Sequence, residues 1–272
     1  MAEDKHLGTS EYDPEKYWSE RARRSGGSCL SAVCVFSATD EENRAAHRLQ
    51  KSVVRRELKR LDIKGKDVLE YGCGAGRWIS FFKRLGANWQ GVDISGDMLS
   101  MAMKEYKDVE LRKVVDSTIP YPDKSMDFVY SITVLHHNPY DAQERIASEM
   151  ARVLRDSGYL LILEGLGQRE EFNMFPRERE SWVKLFEDHG MTLCSRCGVR
   201  YWILRGVAYA MAGRFLPATY MSKGGGSSPG ASRPLALFRK LAGWLDLLVD
   251  PYIYSLVPKR FHTGEAVVFR KG

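Results

Sequence analysis

No stretch of this sequence reaches the ~18 consecutive apolar residues of a membrane-spanning helix. Its opening, MAEDKHLGTSEYDPEKYW, lacks the apolar core of a secretory signal, so an intracellular, cytoplasmic protein is the expectation. Cysteine is scarce, with Cys29, Cys34, Cys73, Cys194 and Cys197 as the whole set. An odd number without a secretion signal points to free thiols instead of a disulfide framework. Cys194 and Cys197 form a lone CxxC pair. The Cys29/Cys34 pair is more widely spaced and no histidine stands near either, so no metal site is expected. There is no internal repeat and no collagen-like, coiled-coil or low-complexity bias. The 44% hydrophobic and 28% charged residues over 272 positions describe an ordinary globular chain of one large domain, or one and a half.

Neither sign of charge dominates most of the chain. Residues 1–167 hold 25 Lys/Arg against 26 Asp/Glu, and residues 168–204 hold 6 of each. The net +6 therefore comes from residues 205–272, where 10 basic residues face 3 acidic ones. A basic patch there would attract nucleic acid, phosphorylated small molecules or a lipid surface; the plainer reading is a solvated surface with a basic bias.

What is present is an alternation. Residues 13–24 read as a short polar helix bearing Tyr17 and Trp18, followed by a Gly/Ser/Cys loop and a second helix from an Asp40 cap to about Leu61. From residue 67, the apolar runs DVLEYG, WQGVDIS, VELRKVVD, MDFVYSITVL and GYLLILEG alternate with helical stretches. That spacing implies parallel βαβ units with both sheet faces covered. A helix over 177–189, a strand MTLCSRCGV and a closing strand AVVFRK complete the pattern. Three regions follow: N-terminal helices over 1–62, a core over 63–203 and 263–272, and an insertion over 204–262. The insertion contains an expected mobile loop, 223–233.

Chemistry concentrates at strand ends. In VLEYGCGAG, residues 68–76, a strand ending in an acid runs into Gly72, Gly74 and Gly76 and then a helix. The glycines permit a tight turn and let a ligand lie against bare backbone, while the helix offers free amides and a positive dipole end. The third glycine falls one residue too early for the dinucleotide fingerprint. Asp93 in GVDIS can accept both hydroxyls of a ribose, and Asp116 ends the next strand, placed to meet an adenine amine. Each acid alone could be a turn or helix cap. His136 and His137 follow the fourth strand, where an imidazole could take a hydroxyl proton near neutral pH. His262, on the insertion, could reach the same pocket. Asn138-Pro139-Tyr140 is read as a loop turn.

VLEYGCGAG, GVDISGDML, DSTIPYPDKSMDFVYSITVLHHNP and ARVLRDSGYLLILEG together resemble the class I S-adenosylmethionine-dependent methyltransferases, in the small-molecule branch that includes ubiquinone-type enzymes. The resemblance covers about residues 66–198, with AVVFRK as the final antiparallel strand. It implies an α/β, Rossmann-like seven-stranded sheet of order 3-2-1-4-5-7-6, an N-terminal helical lid and a helical insertion before the last strand. It implies S-adenosyl-L-methionine as cofactor and S-adenosyl-L-homocysteine as product. Carried over by position, Glu70 and the loop Gly72, Cys73, Gly74 would hold the methionine moiety. Asp93 would hold the ribose, with Ile94 and Met98 beside it. Asp116 and Ser117 would meet the adenine, and Ser131 would offer its carbonyl to the cofactor's amino group. Tyr17 would lie on the lid, or merely pack its helix on the sheet. His137, with His136, is the candidate base; the family's recurrent histidine here often only shapes the substrate site.

The expected activity is methyl transfer to oxygen or nitrogen of a small-molecule acceptor, including natural products, glycans or lipid-linked compounds. The alternatives are an RNA or other nucleic-acid methyltransferase, prompted by the basic tail, and a cofactor-binding protein without turnover. No RNA-binding module is recognisable, so no nucleic-acid partner is expected. In LALFRKLAGWLDLLVD the stretch 235–249 sets Leu237, Leu241, Trp244, Leu245 and Leu248 on one helical stripe. That stripe would pack on the protein's own core, join a homodimer, cap the acceptor pocket, or touch a membrane surface.

Overall fold

The computed structural model describes residues 12–34, 40–167, 172–199, 252, 256 and 262–272. Seven strands build one sheet: β1 (Asp67–Tyr71), β2 (Asn88–Asp93), β3 (Glu110–Lys113), β4 (Met126–Ile132), β5 (Leu154–Gly165), β6 (Met191–Val199) and β7 (Gly264–Lys271). Their order is β3-β2-β1-β4-β5-β7-β6, as expected. All neighbours run parallel except β7, which lies antiparallel between β5 and β6.

Among the described residues, seven helices accompany the sheet: α1 (Pro14–Arg24), α2 (Cys29–Val33), α3 (Asp40–Leu58), α4 (Ile79–Arg84), α5 (Gly96–Glu105), α6 (Tyr140–Val153) and α7 (Arg179–Glu187). Leu49 and Val53 of α3, Phe82 of α4 and Leu99 of α5 cover one face, against Val68, Phe128 and Tyr130. Ile146 and Met150 of α6, with Trp182 and Phe186 of α7, cover the other, against Leu69, Val129 and Leu160. Burial on both sides explains why the central strands read as continuous apolar runs. No helix among the described residues is long and apolar enough to cross a membrane.

The N-terminal helices pack where the sheet's carboxyl ends open. Asp13 caps α1 by accepting the Lys16 amide at 3.1 Å, with Pro14 in the first turn. Ala22 of α1 and Ala32 of α2 sit with Ala75 and Met98 in a small third core, their short side chains allowing close approach. α2 falls inside the segment expected to be loop; Ser28 caps it by accepting the Ser31 amide at 3.3 Å. β5 also starts earlier than expected, at Leu154, because Leu154 pairs with Met126 before a bulge. The expected insertion over 204–262, with loop 223–233 and stretch 235–249, lies outside the described residues except for Tyr252, Leu256 and His262. The His262 ring lies against Gly198 of β6 and is not among the residues lining the cavity described below.

Candidate active site

The strand order reverses between β1 and β4, and a cavity opens there at the strands' carboxyl ends. Its volume is about 760 Å³ measured out to open solvent. Its floor is the glycine loop. Gly72 and Gly74 have φ of +75° and +53°, and a Cβ on either would come within 2.5 Å of Val134 or 2.6 Å of Val33. Both the conformation and the close approach therefore demand glycine. Cys73 lines the same floor; burial pushes its thiol well above the ordinary range.

Asp93 ends β2 and faces the cavity while only 8% exposed. One carboxylate oxygen accepts the Gly74 amide at 2.7 Å and the other the Ser95 amide at 2.9 Å. Asp93 thus fastens the glycine loop to the start of α5 and keeps lone pairs for further donors. Burial raises its pKa to about 6, against the backbone amides that favour the anion. Ile94, Met98 and Ser117 also line this end.

Several expected residues are placed elsewhere. Glu70 alternates with Leu69 and Tyr71 along β1, so its carboxyl enters the core beside Val68 and accepts the Tyr130 hydroxyl at 2.8 Å. It does not line the cavity, and burial pushes its pKa up to about 8. Asp116 is exposed and not among the lining residues. It shares a tight turn with Ser117, both at positive φ, closed by the Thr118 amide on the Val115 carbonyl at 2.8 Å. Ser131 is fully buried within β4, and the cavity wall is made by the next residues, Ile132 and Thr133. Tyr17 packs edge-on against Tyr12, Trp18 and Phe172; Pro14 and Trp18 are the residues of α1 that reach the cavity.

The two histidines occupy a 3-10 turn, Leu135–His137, organised by Glu164. That buried carboxylate accepts the amides of Val134, Leu135 and His136, and meets His136 Nδ1 at 2.5 Å. His137 donates from Nδ1 to the Asn173 carbonyl at 2.7 Å, and its own carbonyl accepts the Tyr12 hydroxyl at 2.9 Å. Burial, and then the His136 ring beside it, hold His137 well below its usual pKa. Neither imidazole lines the cavity, although Trp18 stands edge-on to His137 at 5.1 Å.

Arg77 and Thr133 are polar lining residues that sequence reasoning missed, along with apolar ones such as Val33, Tyr71, Val114 and Val134. Arg77 follows the third glycine, and only the tertiary approach of α3 and β4 reveals its partners. Thr133 has φ of +58°, an outlier for a β-branched residue and a strain of the kind that clusters at functional sites.

The family model of a methyltransferase domain matches residues 69–162, a span from β1 into β5 that holds most of the residues lining this cavity. Residues 69–162 are thus similar to a methyltransferase domain, and the sheet has the strand order of the class I S-adenosylmethionine-dependent methyltransferases. The chain is 28% identical over 177 residues to a fatty-acid O-methyltransferase of Mycolicibacterium smegmatis, covering 63% of this chain and 59% of the relative. It is 30% identical over 128 residues to a phthiotriol/phenolphthiotriol dimycocerosates methyltransferase of Mycobacterium tuberculosis, covering 46% of this chain and 45% of the relative. The match thus spans less than two thirds of either relative. Among solved structures, the chain resembles in fold a magnesium protoporphyrin IX methyltransferase of Synechocystis PCC 6803. The TM-score there is 0.58 at 12% identity, over 95% of this chain and 98% of that one. The [4+2]-cyclase SpnF has the same fold, with a TM-score of 0.55 at 19% identity over 82% and 80% of the two chains.

Proposed function

We propose that the protein transfers a methyl group from S-adenosylmethionine to an oxygen or nitrogen of a small-molecule or lipid acceptor. The observation that carries this reading is the cavity at the strand reversal, with side-chain-free Gly72 and Gly74 on its floor and buried Asp93 at one end. The residues present fit the cofactor: bare backbone for its amino-acid arm, a carboxylate with spare lone pairs for ribose hydroxyls, and Ile94 and Met98 as apolar contacts. When bound, the cofactor supplies a methyl group already activated on a sulfonium. The protein's task is then to orient the acceptor and exclude water. Trp18 and Pro14 of α1 close one side of the cavity, and Tyr12 and Asp97 tie the N-terminal helices to the 3-10 turn and to α5. The names of the relatives favour apolar acceptors.

Calorimetric titration with S-adenosylhomocysteine should give one site per chain. Incubation with S-adenosylmethionine and a panel of fatty acids, phenols and amines should yield S-adenosylhomocysteine that depends on the acceptor. Binding without turnover on any acceptor would favour a cofactor-binding protein; absence of binding would overturn the cofactor assignment.

A further inference from the structure

We propose that Arg77 anchors the carboxylate of an acidic acceptor, which makes the reaction a carboxyl O-methylation. The inference rests on the methyltransferase reading above and narrows its acceptor class.

Arg77 lines the cavity beside the carboxyl end of β4. Its Nη1 donates to Gln50 Oε1 at 2.5 Å and to the Cys34 sulfur at 3.7 Å. Its Nη2 donates to Thr133 Oγ1 at 3.2 Å and the Ile132 carbonyl at 3.4 Å. All four acceptors are neutral. Arginines elsewhere in the fold hold carboxylates: Arg152 binds Glu149, Arg155 binds Asp127 and Arg196 binds Glu265. Among the described residues Arg77 has no carboxylate within ion-pair distance.

The surroundings do not offset the charge. Glu70 is the nearby acid, but its carboxyl is turned to Tyr130, and burial keeps it largely protonated near pH 7. His47 on α3 is held neutral, pushed down to about 2 by burial and by Arg77 itself. A guanidinium is a permanent cation whose planar fork matches the two oxygens of a carboxylate; a carboxylate would take the fork by displacing its two longest contacts, to the Cys34 sulfur and the Ile132 carbonyl. The same cavity is lined by Val33, Ile132 and Val134, whose side chains offer no donors for the extra oxygens of a phosphate and suit a hydrocarbon chain. The strained Thr133 holds its hydroxyl on Arg77 and so fixes where the fork points.

The histidines support the same acceptor. His136 is committed to Glu164 and His137 to Asn173, and neither lines the cavity. A hydroxyl acceptor needs a base to take its proton, whereas a carboxylate is already deprotonated near pH 7. Its lone pair forms the new O–C bond as the methyl–sulfur bond breaks and that pair stays on sulfur, so no proton moves.

The test measures binding of decanoate and of decan-1-ol to the protein saturated with S-adenosylhomocysteine. Wild type should bind decanoate at least about tenfold more tightly than the alcohol. R77Q should lose that preference, R77K should keep part of it, and both should bind S-adenosylhomocysteine within about threefold of wild type. Equal binding of acid and alcohol by the wild type overturns the proposal whether or not the variants fold. So does an R77Q protein that keeps the preference. An R77Q protein that loses S-adenosylhomocysteine but still binds methylthioadenosine would assign Arg77 to the cofactor's own carboxylate and overturn it too. Failure of the broader methyltransferase reading is distinguishable, because wild type would then bind no S-adenosylhomocysteine at all.

Discussion

Glu70 and Asp93 differ in what burial asks of them. Glu70 is 2% exposed among aromatic rings, and its pKa rises from 4.5 to about 8. Between those values the folded protein binds a proton that the unfolded chain releases. Its contribution to stability is therefore fully present below the unfolded value and is lost as pH rises through about 8. At pH 9 the ionised, buried carboxylate costs roughly 3–5 kcal/mol. Glu70→Gln keeps an acceptor for the Tyr130 hydroxyl without the charge. Thermal unfolding from pH 6 to 9 should give a flatter melting profile than wild type, with the variant more stable at pH 9. Parallel profiles would show that Glu70 is not the group responsible. Asp93 is raised only to about 6 and stays ionised at neutral pH, where the Gly74 and Ser95 amides hold it. Asp93→Ala removes a charged acceptor from the cavity and releases the glycine loop. It should weaken S-adenosylhomocysteine by about 2–4 kcal/mol in calorimetry, and unchanged affinity would remove Asp93 from the cofactor site.

At the scale of elements, the 3-10 turn after β4 shows how a side chain from one strand sets the end of another. Glu164, at the end of β5, caps three consecutive amides of the turn and grips His136. The sequence LHHNP makes the turn's histidines conspicuous, but their partners lie about thirty residues away and cannot be read from it. The geometry assigns them to holding the turn in place. His137→Ala should accordingly lower kcat by less than about tenfold, where loss of a true general base costs about 10²–10⁴-fold. A larger fall with unchanged cofactor affinity would restore His137 as a base and would argue for a hydroxyl acceptor. The strand alternation, by contrast, is legible because periodicity is local. The same period-2 rule applied to Glu70 would have turned it into the core with Val68, away from the strand tip. The turn that Asp116 enters is hidden for a related reason: its type depends on two residues at positive φ, which the acid's position near a strand end does not disclose.

At the scale of the whole molecule, the sheet order and the glycine floor were readable because βαβ winding leaves few topologies and places ligands at the strand reversal. Arg77 was not, because its meaning lies in what surrounds it: Gln50 from α3, Thr133 just past β4 and an acid turned elsewhere. The described residues that line the cavity all fall between Pro14 and Asn138, while the chain's basic excess lies beyond residue 204. Cofactor recognition and the C-terminal quarter should therefore separate experimentally. Removing residues 223–233 should leave the affinity for S-adenosylhomocysteine within about twofold of wild type. Replacing Trp244 and Leu248 together with Asp should spare that affinity as well, while abolishing acceptor turnover or binding to anionic vesicles if the apolar stripe faces substrate or membrane. Calorimetry on both variants, with gel filtration to follow the oligomeric state, distinguishes the outcomes. A stripe that only packs a core or a dimer would give an unfolded or dissociated variant and a wild type that ignores vesicles. A tenfold loss of cofactor affinity on removing 223–233 would instead mean that the cofactor site extends into the C-terminal quarter.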